Sequence, residues 1–273
     1  MIYGKIGLMR KKLKPIVVIG FFLTFFAIIF ISGVYGNRAT AGKETTITQS
    51  NTNPTSIETI PSSSYYITNA LEMKPIIDVS AWQRPSEIDY DTLSQNISGA
   101  IVRIQSGSHT KNENTATDEN GLDKAFDTHI KEFQARNVPV AVYAYVTGNS
   151  IDSMKEEARS FYEAANKYNP TFYWLDVEEH TMDDMNGGVE AFRQELESLG
   201  AKNIGIYVGT YFMEDHSINV DKFDAVWIPT YGVDSGYYNA APNTDLDYDL
   251  HQYTSRGYVN GFENYLDLNI ITT

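Results

Sequence analysis

The 273-residue chain contains no cysteine, which excludes disulfides, thiolate metal centres and thiol redox chemistry. It is also poor in positive charge, with 21 Lys and Arg against 35 Asp and Glu, a net of −14. A polyanionic partner such as nucleic acid is therefore excluded, as is electrostatic adhesion to an anionic surface. No Gly-x-Ser-x-Gly elbow is present, so serine hydrolase chemistry has no support. Neither an Asp-x-Asp-x-Asp-Gly loop, nor a phosphate-binding glycine loop, nor a His-x-x-x-His pair occurs, and the five histidines (109, 129, 180, 216 and 251) are scattered. No metal and no cofactor is expected.

Apolar and aromatic residues are plentiful. Hydrophobic residues make up 42% of the chain, and it holds 19 Tyr, 13 Phe and 3 Trp. That suffices for a large core, and tyrosine in such number suits sugar-binding clefts, where the ring stacks on a pyranose face and the hydroxyl bonds to sugar hydroxyls. The charge is unevenly spread. Residues 1–42 hold six basic residues and no acid, which leaves 15 basic and 35 acidic residues, a net of −20, for the rest. Ile16 to Val34 carries no charge and follows Arg10-Lys11-Lys12 and Lys14. Residues 1–41 read as an export segment, either a signal peptide cut after Ala39-Thr40-Ala41 or a retained membrane anchor, with the basic front inside. The rest would then face the outside of the cell. Residues 42–73 are rich in Ser, Thr, Asn and Pro and read as a flexible spacer. The folded domain is expected over residues 74–273, with no further wall-binding module behind it, and to act as a monomer.

Within that domain, short apolar runs alternate with amphipathic stretches. Strands are expected at 75–79, 100–105, 138–145, 172–177, 204–208, 225–229, 248–253 and 265–268. Leu122, Phe126, Ile130 and Phe133 share one helix face. Met154, Ala158, Phe161, Ala165 and Tyr168 share a second, and Val189, Phe192, Leu196 and Leu199 a third, with Gly200 as its C-cap. Alternating strands and helices imply an α/β fold with parallel pairing. Eight strands over about 200 residues suggest a β/α barrel, less regular in its second half, where too little chain remains for full helices.

Active residues of such barrels sit at the C-terminal strand ends. The fourth strand ends in Asp176-Val177-Glu178, and alternation puts both acids on one side. The first ends at Asp78 and the last carries Asp267. Four carboxylates would meet at one mouth, where mutual repulsion raises at least one pKa, as a general acid near neutral pH requires. Tyr143, Tyr145, Tyr207, Trp227, Tyr231 and Tyr253 lie at or near strand ends and are candidates to line a cleft. Trp174, a residue inside its strand, is assigned to the core.

Four segments resemble glycoside hydrolase family 25 lysozymes: Asp78-Val79-Ser80-Ala81-Trp82-Gln83; Val138 to Tyr145; Trp174-Leu175-Asp176-Val177-Glu178; and Gln252-Tyr253-Thr254-Ser255 with Gly257, Gly261 and Leu266-Asp267-Leu268-Asn269. The resemblance spans the whole domain in order, and the last block is its most specific part. It implies an irregular, flattened β/α barrel of eight strands and five helices. It also implies cleavage of the β-1,4 bond between N-acetylmuramic acid and N-acetylglucosamine in the glycan strands of peptidoglycan. Carried over by position, Glu178 would be the general acid, and Asp176 would be the nucleophile or the support for attack by the substrate's N-acetyl group. Asp78 and Asp267 would complete the acidic floor, with Gln252 among the substrate-binding residues. Ala144, Val146-Thr147-Gly148, Pro229 and His251 depart from the family pattern and are expected to touch the cleft wall. Two alternatives remain at this point. One is a glycan-binding scaffold without catalysis. The other is a chitin-type glycosidase, although the Asp-x-x-Asp-x-Asp-x-Glu strand expected of that type is missing, since Phe172 and Trp174 precede Asp176.

Overall fold

A computed structural model describes residues 74–107 and 113–272. The expected export segment and spacer lie outside the described residues. Among the described residues, no helix is long and apolar enough to cross a membrane.

Eight strands close into a barrel in sequence order: β1 (Ile76–Val79), β2 (Gly99–Gln105), β3 (Val140–Tyr145), β4 (Tyr173–Val177), β5 (Ile204–Val208), β6 (Ala225–Pro229), β7 (Leu250–Gly257) and β8 (Leu266–Ile271). Five α-helices surround them: α1 (Tyr90–Asn96), α2 (Phe126–Ala135), α3 (Ile151–Ala165), α4 (Met185–Leu199) and α5 (Thr210–Asp215). The expected irregular β/α barrel is thus observed.

Strands β1 to β7 pair in parallel, whereas β8 runs antiparallel to both β7 and β1. This corrects the expectation of uniform parallel pairing. Residues 258–265, which join β7 to β8, are too few for a crossover helix, and a parallel pair needs a dozen or more residues to return. Chain length alone therefore reverses the last strand. It also reverses the end of β8 that faces the mouth: Asp267, near the start of β8, pairs in register with Asp78, near the end of β1.

The helices form where the periodicity places them. In α3, Met154, Ala158, Phe161 and Ala165 are buried on one stripe, and Ser150 and Ser153 cap its start reciprocally. In α4, Asp184 accepts from the Gly187 N–H, and Gly200, at φ 98°, ends the helix in the left-handed conformation. The short helices α1 and α5 carry little periodic signal.

Alternation divides each strand between two cores. Outward-facing residues, among them Ile77, Val102, Val142, Leu175, Ile206 and Val226, pack under the helices. Inward-facing Ile101, Ala141, Trp174, Tyr207, Ala225, Trp227 and Leu250 fill the barrel. Trp174 and Trp227 meet edge to face at 5.5 Å, Tyr207 and Trp227 at 4.6 Å, and Phe172 stacks on Trp174 at 5.2 Å. The assignment of Trp174 to the core matches this arrangement. The three large rings have room because β5 carries Gly205: a Cβ there would lie 2.3 Å from the Trp174 ring.

Gly205→Ala is therefore expected to overpack the plug and destabilise the fold by about 1–3 kcal/mol. Gly99→Ala, where the nearest atoms lie at 3.5 Å, should change stability by less than about 1 kcal/mol. Urea denaturation midpoints of the two variants check the contrast.

Candidate active site

The aromatic plug carries the acids on its upper side. Asp176 follows Trp174 by two residues on the same face of β4, and its register partners are Tyr145 on β3 and Tyr207 on β5. It is buried, while Glu178, one step beyond the strand, is exposed at the mouth. Burial raises the pKa of Asp176, and partial desolvation of its carboxyl at the mouth raises that of Glu178. Repulsion from Glu178 and a hydrogen bond between the two carboxyls raise Asp176 further. The same hydrogen bond lowers Glu178, so within the pair the proton is favoured on Asp176. Asp176 Oδ1 is buried and has no hydrogen-bond partner among the described residues.

Asp78, inside β1, is held by two amides. Gln252 Nε2 donates to its Oδ2 at 2.9 Å and Asn269 Nδ2 donates to the same oxygen at 2.8 Å. The orientation of Gln252 is dictated from behind, because Tyr207 and Tyr231 both donate hydroxyls to its Oε1, at 2.8 and 2.6 Å. Their pKa values are raised by burial, so both hydroxyls keep their protons. The amide must then turn its NH₂ toward Asp78. Burial pushes the Asp78 carboxyl up to about 6, against the lowering by Asn269 and Gln252 and with added repulsion from Glu178. Asp267, opposite it, is pushed up to about 8, by burial first and then by repulsion from Asp78 and Asp234.

The structure therefore brings Asp78, Asp176, Glu178 and Asp267 to one mouth. Of the expected aromatics, Tyr143 and Tyr145 stand beside the acids, whose charges raise their pKa on top of burial. Tyr145 also donates to Glu179 Oε2 at 3.4 Å. Tyr207 and Tyr231 join the Gln252 network. Two placements differ from expectation. Trp227 belongs to the plug beneath the acids and is not part of an open wall. Tyr253 follows Gln252 by one residue and so faces outward, packing on the outer core and beside Tyr238 and His251. The same alternation corrects two of the family departures, since His251 joins that outer aromatic group, its Nε2 donating to Thr230 O at 2.9 Å, and Ala144 lies in the outer core.

Sequence reasoning passed over a cation near this floor. Arg103 on β2 points inward, with its side chain 11% exposed, and Asp123 Oδ2 lies 3.0 Å from its Nε and 2.9 Å from its Nη2. The charge of Arg103 lowers the pKa of Asp176. Asp123 also accepts from the Ala81 and Ala125 N–H groups, tying the turn after β1 to the start of α2. His129 fastens the same turn: its Nε2 lies 3.1 Å from Ser80 O, and its Nδ1 lies 2.7 Å from the Tyr90 hydroxyl. The available signal was an arginine at an inward position of the otherwise apolar run Ala100 to Ile104.

A mouth with paired carboxyls, one buried and one at the surface, at the top of a β/α barrel and flanked by tyrosines is the equipment of a glycoside hydrolase. Comparison with known proteins narrows the class. The family model described as glycosyl hydrolases family 25 matches residues 77–262. A glycosyl hydrolase 25 of Streptococcus pneumoniae, described as a virulence factor participating in host cell invasion, is 63% identical over 73% of this chain and 87% of its own, with a TM-score of 0.71. The catalytic domain of the endolysin Ply40, from bacteriophage P40 of Listeria monocytogenes, is 25% identical over 75% and 95%, with a TM-score of 0.64. A bacterial lysozyme from Streptomyces coelicolor shares the fold at 17% identity over 73% and 92%, with a TM-score of 0.57. No match was found among curated proteins. The chain belongs to glycosyl hydrolases family 25. It is a glycoside hydrolase of the lysozyme type, a class of enzymes that act on peptidoglycan.

The raised carboxyls make stability pH-dependent. Between the unfolded Asp value, about 4, and the folded Asp267 value, about 8, the native state retains a proton that the unfolded chain has released. Stability due to this group is thus full below about pH 4 and is lost as pH rises towards 8. Asp267→Asn should therefore gain in melting temperature relative to wild type as pH goes from 4 to 8. A constant difference across that range would refute the assignment.

Proposed function

We propose that this protein is an N-acetylmuramidase that cleaves the β-1,4 bond between N-acetylmuramic acid and N-acetylglucosamine in peptidoglycan. The observation that carries this reading is the placement of exposed Glu178 beside buried Asp176 at the end of β4, with both carboxyls shifted up. The hydrogen bond favours the proton on Asp176 in the free enzyme; for reaction it passes to Glu178, so that the group at the surface is an acid and the group behind it is an anion. Glu178 then protonates the glycosidic oxygen as the bond to the anomeric carbon breaks. Asp176 faces the positive charge that develops on the sugar. Its buried Oδ1, without a partner among the described residues, either attacks the anomeric carbon or accepts the N–H of the substrate's N-acetyl group as that group attacks. Glu178, now a carboxylate, takes a proton from the incoming water. Both routes retain configuration.

Asp78 and Asp267 set the field around the pair. At neutral pH a fully ionised floor would repel electron density from the leaving oxygen and bind the neutral glycan no better. Raised pKa values keep part of the floor uncharged. Tyr143, Tyr145 and Tyr231 would present rings and hydroxyls to the sugars, while Gln252 and Tyr207 hold Asp78 in place. The uncharged run Ile16 to Val34, behind a basic front, would carry the domain to the outer face of the cell, where the wall is.

Glu178→Gln is expected to lower the rate of turbidity loss of purified cell walls by about 10²- to 10⁴-fold, with an unchanged circular dichroism spectrum. Wild-type rates should fall on the alkaline side, as Glu178 loses its proton. Mass spectrometry of the fragments should show muramic acid at the new reducing ends. Wild-type fragments ending in reducing N-acetylglucosamine would overturn the bond assignment.

A further inference from the structure

Beside the acidic mouth lies a second concavity that the reaction does not use. The chain entering α1 and residues 258–264 frame a cavity of about 650 Å³ whose lining includes Glu87, Asp89, Tyr258, Asn260, Glu263 and Asn264. Its size falls within the range of about 300–1,000 Å³ usual for ligand sites.

The cavity is held open by backbone. Ile88 bridges to Phe262, and the Asp89 N–H donates to Gly261 O at 2.8 Å. Gly261 sits at φ 105°, and a Cβ there would lie 2.4 Å from the Leu93 nitrogen, so only glycine lets this loop close on α1. Val259 and Phe262, on its floor, are anchored in the outer core.

Its walls have a definite chemistry. The ionisable carboxyl groups on the lining are Glu87, Asp89 and Glu263, and no Lys, Arg or His lines it. Asp89 is kept ionised by the Thr92 hydroxyl and N–H. Glu87 meets Arg84 at 3.3 Å in an exposed pair. Glu263 has no cationic partner among the described residues. Asn260 and Asn264 add amide donors and acceptors. Tyr258, 66% exposed, contacts Tyr265, 50% exposed, at a ring separation of 4.8 Å. Tyr265 stands two residues before Asp267, just ahead of β8, so the tyrosine pair joins the cavity to the start of the strand that carries Asp267.

A neutral glycan gives no use for the uncompensated carboxylate of Glu263 beside Glu87, and a bare cation gives no use for two exposed rings and two amides. A short peptide with a free amine uses all of them. We infer that this cavity is a subsite for the amine-bearing stem peptide that hangs from muramic acid. The glycan crosses the Asp78–Asp267 edge, the peptide passes over Tyr258 and Tyr265, and its amine meets Glu263 and Glu87. The inference rests on the muramidase reading for the identity of the glycan, but the binding it describes can be measured without catalysis.

The test uses the full chain and a soluble stem tetrapeptide containing lysine, with its side-chain amine either free or acetylated. Calorimetry should show tighter binding of the free-amine peptide. The double variant Glu87→Gln, Glu263→Gln should abolish that preference, a change of about fivefold, and Tyr258→Ala should weaken both peptides. In hydrolysis, wild type should cut peptide-bearing strands faster than strands stripped of peptide by an amidase. The double variant should lose that advantage while keeping the wild-type rate on stripped glycan. Equal affinity for the two peptides, or a peptide preference that survives the double variant, overturns the subsite. Amine-dependent binding together with no muramic acid ends from either substrate would instead overturn the muramidase reading and leave the subsite standing.

Discussion

Four carboxyl groups at one mouth, seated on a plug of tryptophan and tyrosine, cannot all carry charge. Taking a carboxylate out of water is costly, and each neighbour of like sign adds to the cost. The protein meets this in three ways. Asp176 keeps a proton hydrogen-bonded to Glu178, Asp78 is solvated by two side-chain amides, and Asp267 retains its proton well above the usual range. Arg103 supplies one counter-charge, but it is already bound to Asp123. The imbalance persists, and a floor able both to give a proton and to face a cation is the result.

The rest of the barrel serves that imbalance. Trp174, Trp227 and Tyr207 exclude water from below, which makes the desolvation real, and Gly205 leaves them the space. Tyr207 and Tyr231 fix the Gln252 amide, so a hydroxyl network that bears no charge decides which way a neutral dipole points at Asp78. Reversal of β8 brings Asp267 and Asn269 alongside β1, one as a repelling neighbour and the other as a donor. The Asp123 and His129 contacts hold the turn after β1 and so the end of the strand that carries Asp78. Stability is spent on this arrangement, since directly opposed acids in an antiparallel pair are unfavourable.

Much of this was legible from particular residues. The buried stripes of α3 and α4 were readable because periodicity and packing agree there, and Gly200 marked its own helix end. The apolar run ending in Asp176 and Glu178 showed two acids on one side of a strand, because alternation is a local rule. Asp267 was expected at the right mouth for an incomplete reason: it was read as ending a parallel strand, whereas it begins an antiparallel one. Tyr253 and His251 were set on the cleft side, although alternation from Gln252 turns both outward. Trp227 was placed on a wall because strand position does not say how deep a ring lies.

By itself the sequence determined the class of fold, the family to which the chain belongs and the acids available for chemistry, since these depend on periodicity, composition and short motifs. The tertiary structure decided the direction of β8, the depth of each aromatic ring, the amides that face Asp78 and the hydrogen bond between Asp176 and Glu178. These depend on distances between residues as far apart in sequence as Asp78 and Asn269. Burial, which sets the pKa values, is a property of the closed barrel and of no single segment.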